Sequence, residues 1–297
     1  MPAGPKKSRF ELLANAPGIG VDNDGNHNVV GFDPAYAEGG TQFEKSRQPK
    51  SLLEDVEGHV VAALGISSLR HRSALLKLGK VDGERLIETI HKSIATNYEL
   101  SNASINKDRS KQNWRWQSLQ PQIGQHNRSA EVVIERAIAA ACDRLGHTKW
   151  ANQVPVASGL IPASPDRRRA IDLVHRLGDR HFELIELKIA SDTPLYAAIE
   201  IIAYGCLWVI ARGDKPLRPS ALLEADQIDL RVLAPATYYS SYELADLATQ
   251  LNMGLRAMGE REGVELSFAF KRLDDRVSAD AIPDDRALLR LLDHSMR

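Results

Sequence analysis

The chain has 297 residues, 43% hydrophobic and 26% charged, which is ordinary for a soluble globular protein and enough for one large domain or two modest ones. A formal net charge of −1 excludes a global drive toward nucleic acid, so any such surface must be local. Two cysteines without a CxxC or His-rich pattern give no sign of structural zinc, and Cys142 and Cys206 read as buried reduced thiols of a cytoplasmic protein.

Residues 1–50 are rich in Gly, Pro, Asn and Asp. The opening MPAGPKKSRFELL carries no apolar core of signal-peptide length. Turn signals stand at Asp24-Gly25 and Asp33-Pro34, and DNDG resembles part of a calcium loop but lacks the later glutamate, so a loop or short hairpin is expected. Residues 51–100 read as helices. Leu52, Leu53, Val56, Val60 and Leu64 recur at helical spacing behind a Ser51/Glu54 capping box. Further helices are expected over Ser68–Leu78 and Asp82–Thr96, with Gly65 and Gly79 as stops. Residues 101–127 break the pattern and mix Lys107, Arg109, Lys111 and Arg115 with Trp114 and Trp116. Basic residues beside aromatics can contact phosphates and stack on bases, which makes Lys111, Trp114, Arg115 and Trp116 candidate nucleic-acid contacts. The alternative is a linker whose tryptophans anchor it to the core.

A helix runs from Ser129, its cap, to Gly146, its stop, with Glu131 and Glu135 on one side of it. An acid on the buried edge of a helix needs a partner; a solvated pair with Arg136 is the alternative. A strand over Asn152–Leu160 ends at Pro162 and Pro165, and Arg167, Arg168 and Arg169 run into a strand over Arg169–Leu177. The next strand covers His181–Ile189. With residues 178–180 as a three-residue hairpin loop, Leu177 falls opposite His181 and Asp172 opposite Glu186. Opposed residues share a face with Cβ atoms about 4.5–5.5 Å apart, so these carboxylates repel unless a cation lies between them. A two-residue loop would set Ile185 there instead. Lys188 shares the face of Glu186. Ser191 or Asp192 is the expected cap of a helix over Pro194–Ala211. Its apolar run, broken by Glu200, is shorter than the ~20 residues of a membrane span and fits a helix buried against a sheet. Glu200 and Tyr204 are its polar exceptions. The rest reads as strand Ile228–Ala234, helix Tyr242–Glu260, strand Val264–Arg272 and helix Pro283–Leu292.

The pair Ile171-Asp172 and the triplet Glu186-Leu187-Lys188, on consecutive strands followed by a helix, resemble the core of the PD-(D/E)XK nuclease superfamily, with Ile171 where that family usually has proline. The order helix, strand, strand, strand, helix, strand from Ser129 is similar to the family's core over roughly residues 128–235. The resemblance implies an α/β fold, a restriction-endonuclease-like core with a central mixed sheet flanked by helices. It places a nuclease-like domain at residues 128–297 and a mainly helical region of unknown role at residues 1–127. It further implies a Mg²⁺-dependent nuclease, with Mn²⁺ as substitute, acting on nucleic acid and on DNA first, in restriction, phage defence or repair. Such an enzyme needs no membrane and is compatible with a homodimer. Asp172, Glu186 and the Leu187 carbonyl would hold the ion, Lys188 would sit beside the attacking water, and Glu131 would serve a second ion, with Glu135 as its alternate. Glu200 and Tyr204 would orient Lys188 from behind, and Arg167, Arg168 and Arg169 would meet phosphates. Two other expectations compete: a non-catalytic binding module that keeps the fold, and a structural α/β protein in which Glu186 and Lys188 form a surface ion pair.

Overall fold

The computed structural model describes residues 47–109, 111–116 and 119–296, so the turn signals at 24–25 and 33–34 and the calcium-like DNDG lie outside the described residues. The elements are α1 (Val56–Leu64), α2 (Arg72–Leu75), α3 (Gly83–Leu100), α4 (Ala130–Arg144), β1 (Trp150–Pro155), β2 (Ala170–Arg176), β3 (His181–Leu187), α5 (Pro194–Gly213), β4 (Gln227–Pro235), α6 (Ala236–Tyr239), α7 (Ala245–Glu262), β5 (Glu265–Leu273) and α8 (Asp285–Met296). The strands form one open sheet in the order β1-β2-β3-β4-β5. The first two junctions are antiparallel and the last two parallel. The molecule is therefore α/β with a mixed sheet.

Alternation along the strands divides the core into two layers. Val174, Phe182, Leu184, Ile228, Leu230 and Val232 point to one face, where α5 packs on β3 and β4 and α7 on β5, with α3 against both helices. Leu173, Ile185, Leu187, Leu233 and Leu273 point to the other, against α4 and α8. This is the period-two consequence of strand geometry, and both faces of β3 are buried because helices cover both sides. Helix α5 has a mean hydropathy of 1.7 and the length to cross a membrane, yet its side chains are spent on this sheet, 78% of its window being buried. Gly205 lets it lie close: a Cβ there would come within 2.6 Å of Leu230.

The helices before residue 128 join the same core. Leu52, Val60, Leu86, Ile90 and Ile94 pack in the layer that holds α5. Gly83 of α3 and Gly254 of α7 meet so closely that a Cβ on Gly254 would stand 2.2 Å from the Gly83 carbonyl oxygen. The boundary expected between residues 127 and 128 thus falls inside one compact unit, Ser46–Arg297.

Several local expectations are corrected. Helix α1 starts only at Val56, because Ser51 Oγ donates to Asp166 at 2.6 Å and the Glu54 carboxylate accepts from the Lys50 N–H, leaving no capping box. Strand β1 ends at Pro155, since Asn113 brackets the Ser158 backbone with bonds at both its N–H and its carbonyl and pulls residues 157–160 off the sheet. The cap of α5 is Thr193, whose Oγ1 accepts from Tyr196 N–H at 3.2 Å. Ser191 and Asp192 are engaged elsewhere, by Glu131 and Arg70.

Candidate active site

The hairpin joining β2 to β3 turns through residues 178–180, and Leu177 and Gly178 N–H both donate to the His181 carbonyl. Leu173 pairs with Ile185 and Val174 with Leu184, and Asp172 lies one residue beyond the last pair of this ladder. Glu186 and Lys188 are 5% and 8% exposed, and Asp172 beside them is partly buried. Asp172 Oδ2 accepts from the Leu187 N–H at 2.9 Å. The Lys188 ammonium donates to Glu186 Oε1 at 2.6 Å and to Glu200 Oε2 at 3.2 Å. The Tyr204 hydroxyl donates to the other Glu200 oxygen at 3.5 Å. Glu200 therefore touches Lys188 directly, and Tyr204 touches Glu200.

Three carboxylates face one ammonium here, and the electrostatics register the surplus. Burial, followed by the charge of Glu135, raises the Asp172 carboxyl to about 7. Burial and the charges of Asp172 and Glu200 lift Glu186 well above the carboxylate range, with Lys188 opposing them. Burial works against the Lys188 charge, but Glu186 and Glu200 outweigh it and hold the ammonium above the usual lysine range. Tyr204 is pushed up by burial and by the same two glutamates, and so remains a hydrogen-bond donor.

The two acids of α4 part company. Glu131 accepts from Ile189 N–H at 3.1 Å and Ser191 Oγ at 2.6 Å, which fastens the chain leaving β3. Glu135 is 3% exposed and accepts from Asn152 Nδ2 at 2.9 Å and Gln153 Nε2 at 3.1 Å. Asn152 pairs with Leu173, so Glu135 is the helical acid that stands near Asp172. The two residues exchange the places expected of them.

Of the basic residues, Arg169 joins the cluster's border: its Nε donates to buried Asp166 Oδ1 at 2.9 Å and its charge bears on Tyr204. Arg167 and Arg168 sit in a 3₁₀ turn, Pro165–Arg168, instead of running extended into β2, and both are exposed. Trp114, expected to stack on bases, is 2% exposed and belongs to the core, its N–H donating to the Pro155 carbonyl at 2.9 Å. Trp116 packs on Phe182 with ring centroids 5.6 Å apart. The tryptophans anchor their segment, while Lys111 and Arg115 face solvent. A residue with no sequence signal beyond a tyrosine-rich turn is Tyr238. Its α6 follows β4, whose Leu233 carbonyl accepts from the Lys188 N–H, and its hydroxyl is buried with no hydrogen-bond partner among the described residues.

Among the described residues no group of three or more His, Cys, Asp and Glu side chains is arranged to hold a metal ion. Comparison of the chain with family models, with curated proteins and with solved structures found no match.

Proposed function

We propose that the protein is a metal-dependent phosphodiesterase that hydrolyses nucleic acid, DNA first, at the Asp172/Glu186/Lys188 cluster. The observation that carries this reading is the charge surplus: Asp172, Glu186 and Glu200 against one ammonium. A divalent cation would relieve this concentration of like charge. The element sequence α4-β1-β2-β3-α5-β4 is also the order that the PD-(D/E)XK resemblance implies.

The donor set fits Mg²⁺, a hard ion that takes one or two carboxylates and fills its remaining positions with water and substrate oxygens. Asp172 and Glu186 would hold it, with the Leu187 carbonyl beside them. When bound, such an ion neutralises phosphate charge and activates a nucleophile at neutral pH. Lys188 acts as the internal counter-ion of Glu186 until then. With Glu186 engaged by an ion, Glu200 would remain to anchor the ammonium, whose other protons would be available to a phosphate oxygen. Tyr204 fixes Glu200 and, through it, the position of Lys188. Glu135, held by Asn152 and Gln153, keeps a negative charge beside Asp172, and Glu131 secures the backbone after Lys188.

The test is cleavage of duplex and single-stranded DNA with Mg²⁺ or Mn²⁺ and its loss in EDTA. Asp172→Asn should lower the rate by at least about a thousandfold, on the scale of removing a principal electrostatic group; equal cleavage by this variant defeats the proposal. One observation favours a second reading, a non-catalytic nucleic-acid or protein binding module: the ammonium already satisfies Glu186 and no three-group metal cluster is assembled. Calorimetry showing no divalent-ion binding would decide for it.

A further inference from the structure

Residues 107–109 and 111–116 and the loop after α5 enclose a cleft of about 300 Å³ lined by Asp108, Lys111, Asn113, Arg115, Arg218 and Ser220, with Pro216 and Pro219. The segment is fixed rather than loose. Lys107 pairs with Asp214, which also accepts from the Tyr98 hydroxyl at 2.9 Å, and Ser220 Oγ donates to the Trp114 carbonyl. Within this frame three cations are left without a carboxylate. Lys111 and Arg115 have no side-chain partner among the described residues, and Arg218 Nη1 donates only to the Lys111 carbonyl, at 3.1 Å. The one acid in the cleft, Asp108, is occupied by the Leu217 N–H at 2.9 Å. Asp108 keeps its charge and offsets one of the three cations, so the hollow holds a net surplus of two positive charges that an anion would answer.

We propose that this cleft is a phosphate-binding groove that takes the sugar–phosphate backbone of a DNA strand outside the cleavage site and without reading its sequence. The identity of the polyanion rests on the nuclease reading above. The lining argues for a strand over a free nucleotide: it offers cations, an amide and a hydroxyl, but no aromatic face, since Trp114 is in the core and Trp116 lies on Phe182. Phosphate contacts of this kind position a duplex and carry no sequence information. The cleft also has a physical link to the acid cluster. Trp114 N–H bonds the Pro155 carbonyl, Pro155 pairs with Ala170, and Asp172 lies two residues along the same strand. A strand seated at Lys111, Arg115 and Arg218 therefore lies at the end of the sheet where β2 begins.

The experiment is fluorescence anisotropy with a labelled duplex DNA in EDTA, across a salt series, using the full chain. Three phosphate contacts predict a slope of log affinity against log salt near −2.7, about a 40-fold loss between 50 and 200 mM. The variant Lys111→Ala/Arg115→Ala/Arg218→Ala, all at exposed positions, should lose at least about tenfold in affinity at 50 mM, and Arg218→Ala alone should flatten the slope by about one. Wild-type affinity and slope in the triple variant would overturn the proposal. So would a mononucleotide or inorganic phosphate that competes at the concentration where the duplex binds. The same variant in Mg²⁺ separates this inference from the nuclease reading: a raised KM with unchanged kcat supports the cleft. Binding without any cleavage by the wild type would sink the nuclease reading and leave the cleft standing.

Discussion

Strand β3 carries two buried glutamates three residues apart, and they live in opposite electrostatic worlds. Glu186 faces α5 with Asp172 and Glu200, and only Lys188 answers them. Glu183 points to the other face, where His175 Nδ1 lies 3.1 Å away and Arg231 Nε 3.4 Å away. There Asp229 meets Arg231 at 3.0 Å and His181 at 2.9 Å and accepts from Ser267 Oγ at 2.6 Å. Burial alone would raise the Asp229 carboxyl, but Arg231, Ser267 and His181 outweigh it and hold the group below its usual range. The Glu183 cluster is balanced; the Glu186 cluster is short of positive charge. Burial of an acid does not by itself make a site, because a matched network satisfies a structural need. The unmatched one is where a cation from solution has something to gain.

The same substitution should act with opposite sign on the two clusters. Asp172→Asn removes cleavage, the largest effect expected, yet it also relieves repulsion and should raise the melting temperature of the metal-free protein at pH 8, by about 2–4 °C for each kcal/mol gained. Asp229→Asn removes one of the two carboxylates of Arg231 in a buried setting, with Glu183 remaining, and should cost about 2 kcal/mol, with Mg²⁺-dependent cleavage retained by the folded fraction. Thermal melts of both variants check the contrast, and it fails if both shift the same way.

The pH response follows from the same difference. Asp172 and Glu186 titrate higher in the folded chain than in the unfolded one, so the folded protein holds protons that the unfolded chain has released. Stability from these two groups is complete below the ordinary carboxylate range and is lost as pH climbs through their raised values, about 7 for Asp172. Asp229 behaves inversely: its contribution is present above the ordinary range and disappears as pH falls through its depressed value. Between pH 6 and 8, without divalent ions, the melting temperature should therefore fall. Adding Mg²⁺ at a hundredfold excess over its Kd should restore about 2.7 kcal/mol at pH 8 and less at pH 6, where protons compete. A melting temperature indifferent to Mg²⁺ at pH 8 would remove the cation from the account.

What was legible in the sequence was whatever rests on short-range geometry. The three-residue hairpin loop fixed the register of β2 on β3 up to Leu173 and Ile185, because strand periodicity leaves no freedom once the turn is chosen. Composition was likewise enough to bury α5. The losses came from partners distant in sequence. Ser51 read as a helix cap because its true partner, Asp166, lies 115 residues away. Glu131 was preferred to Glu135 for its place at the helix start, but Asn152 and Gln153, supplied by β1, decide which acid turns inward. Glu183, Asp229 and Arg231 passed as ordinary polar strand residues, since their matching appears only when β3 and β4 pair in parallel across a long connection. The close contact of α3 with α7 at Gly83 and Gly254 and the bond from the Trp114 backbone to Pro155 of β1 join distant parts of the chain, which no local pattern announces.

The smallest effect should come from Arg167 and Arg168, which belong to neither cluster. Both are exposed on the 3₁₀ turn, while buried Asp166 between Ser51, Leu52 and Arg169 holds the turn in place. Replacing Arg167 and Arg168 by alanine should change stability by less than about 0.5 kcal/mol, since no buried contact is lost. If they meet phosphates, each should instead flatten the salt slope of DNA binding by about one and raise KM without touching kcat. Arg169→Ala offers the contrast within the same triplet. It removes a cation that bonds Asp166 and bears on Tyr204, so its effect should fall on kcat, through the hold of Tyr204 and Glu200 on Lys188, and be partly recovered by Arg169→Lys. An Arg169→Ala enzyme altered only in KM would mean that the three arginines act together as a phosphate patch and that the Tyr204–Glu200 link does not depend on them.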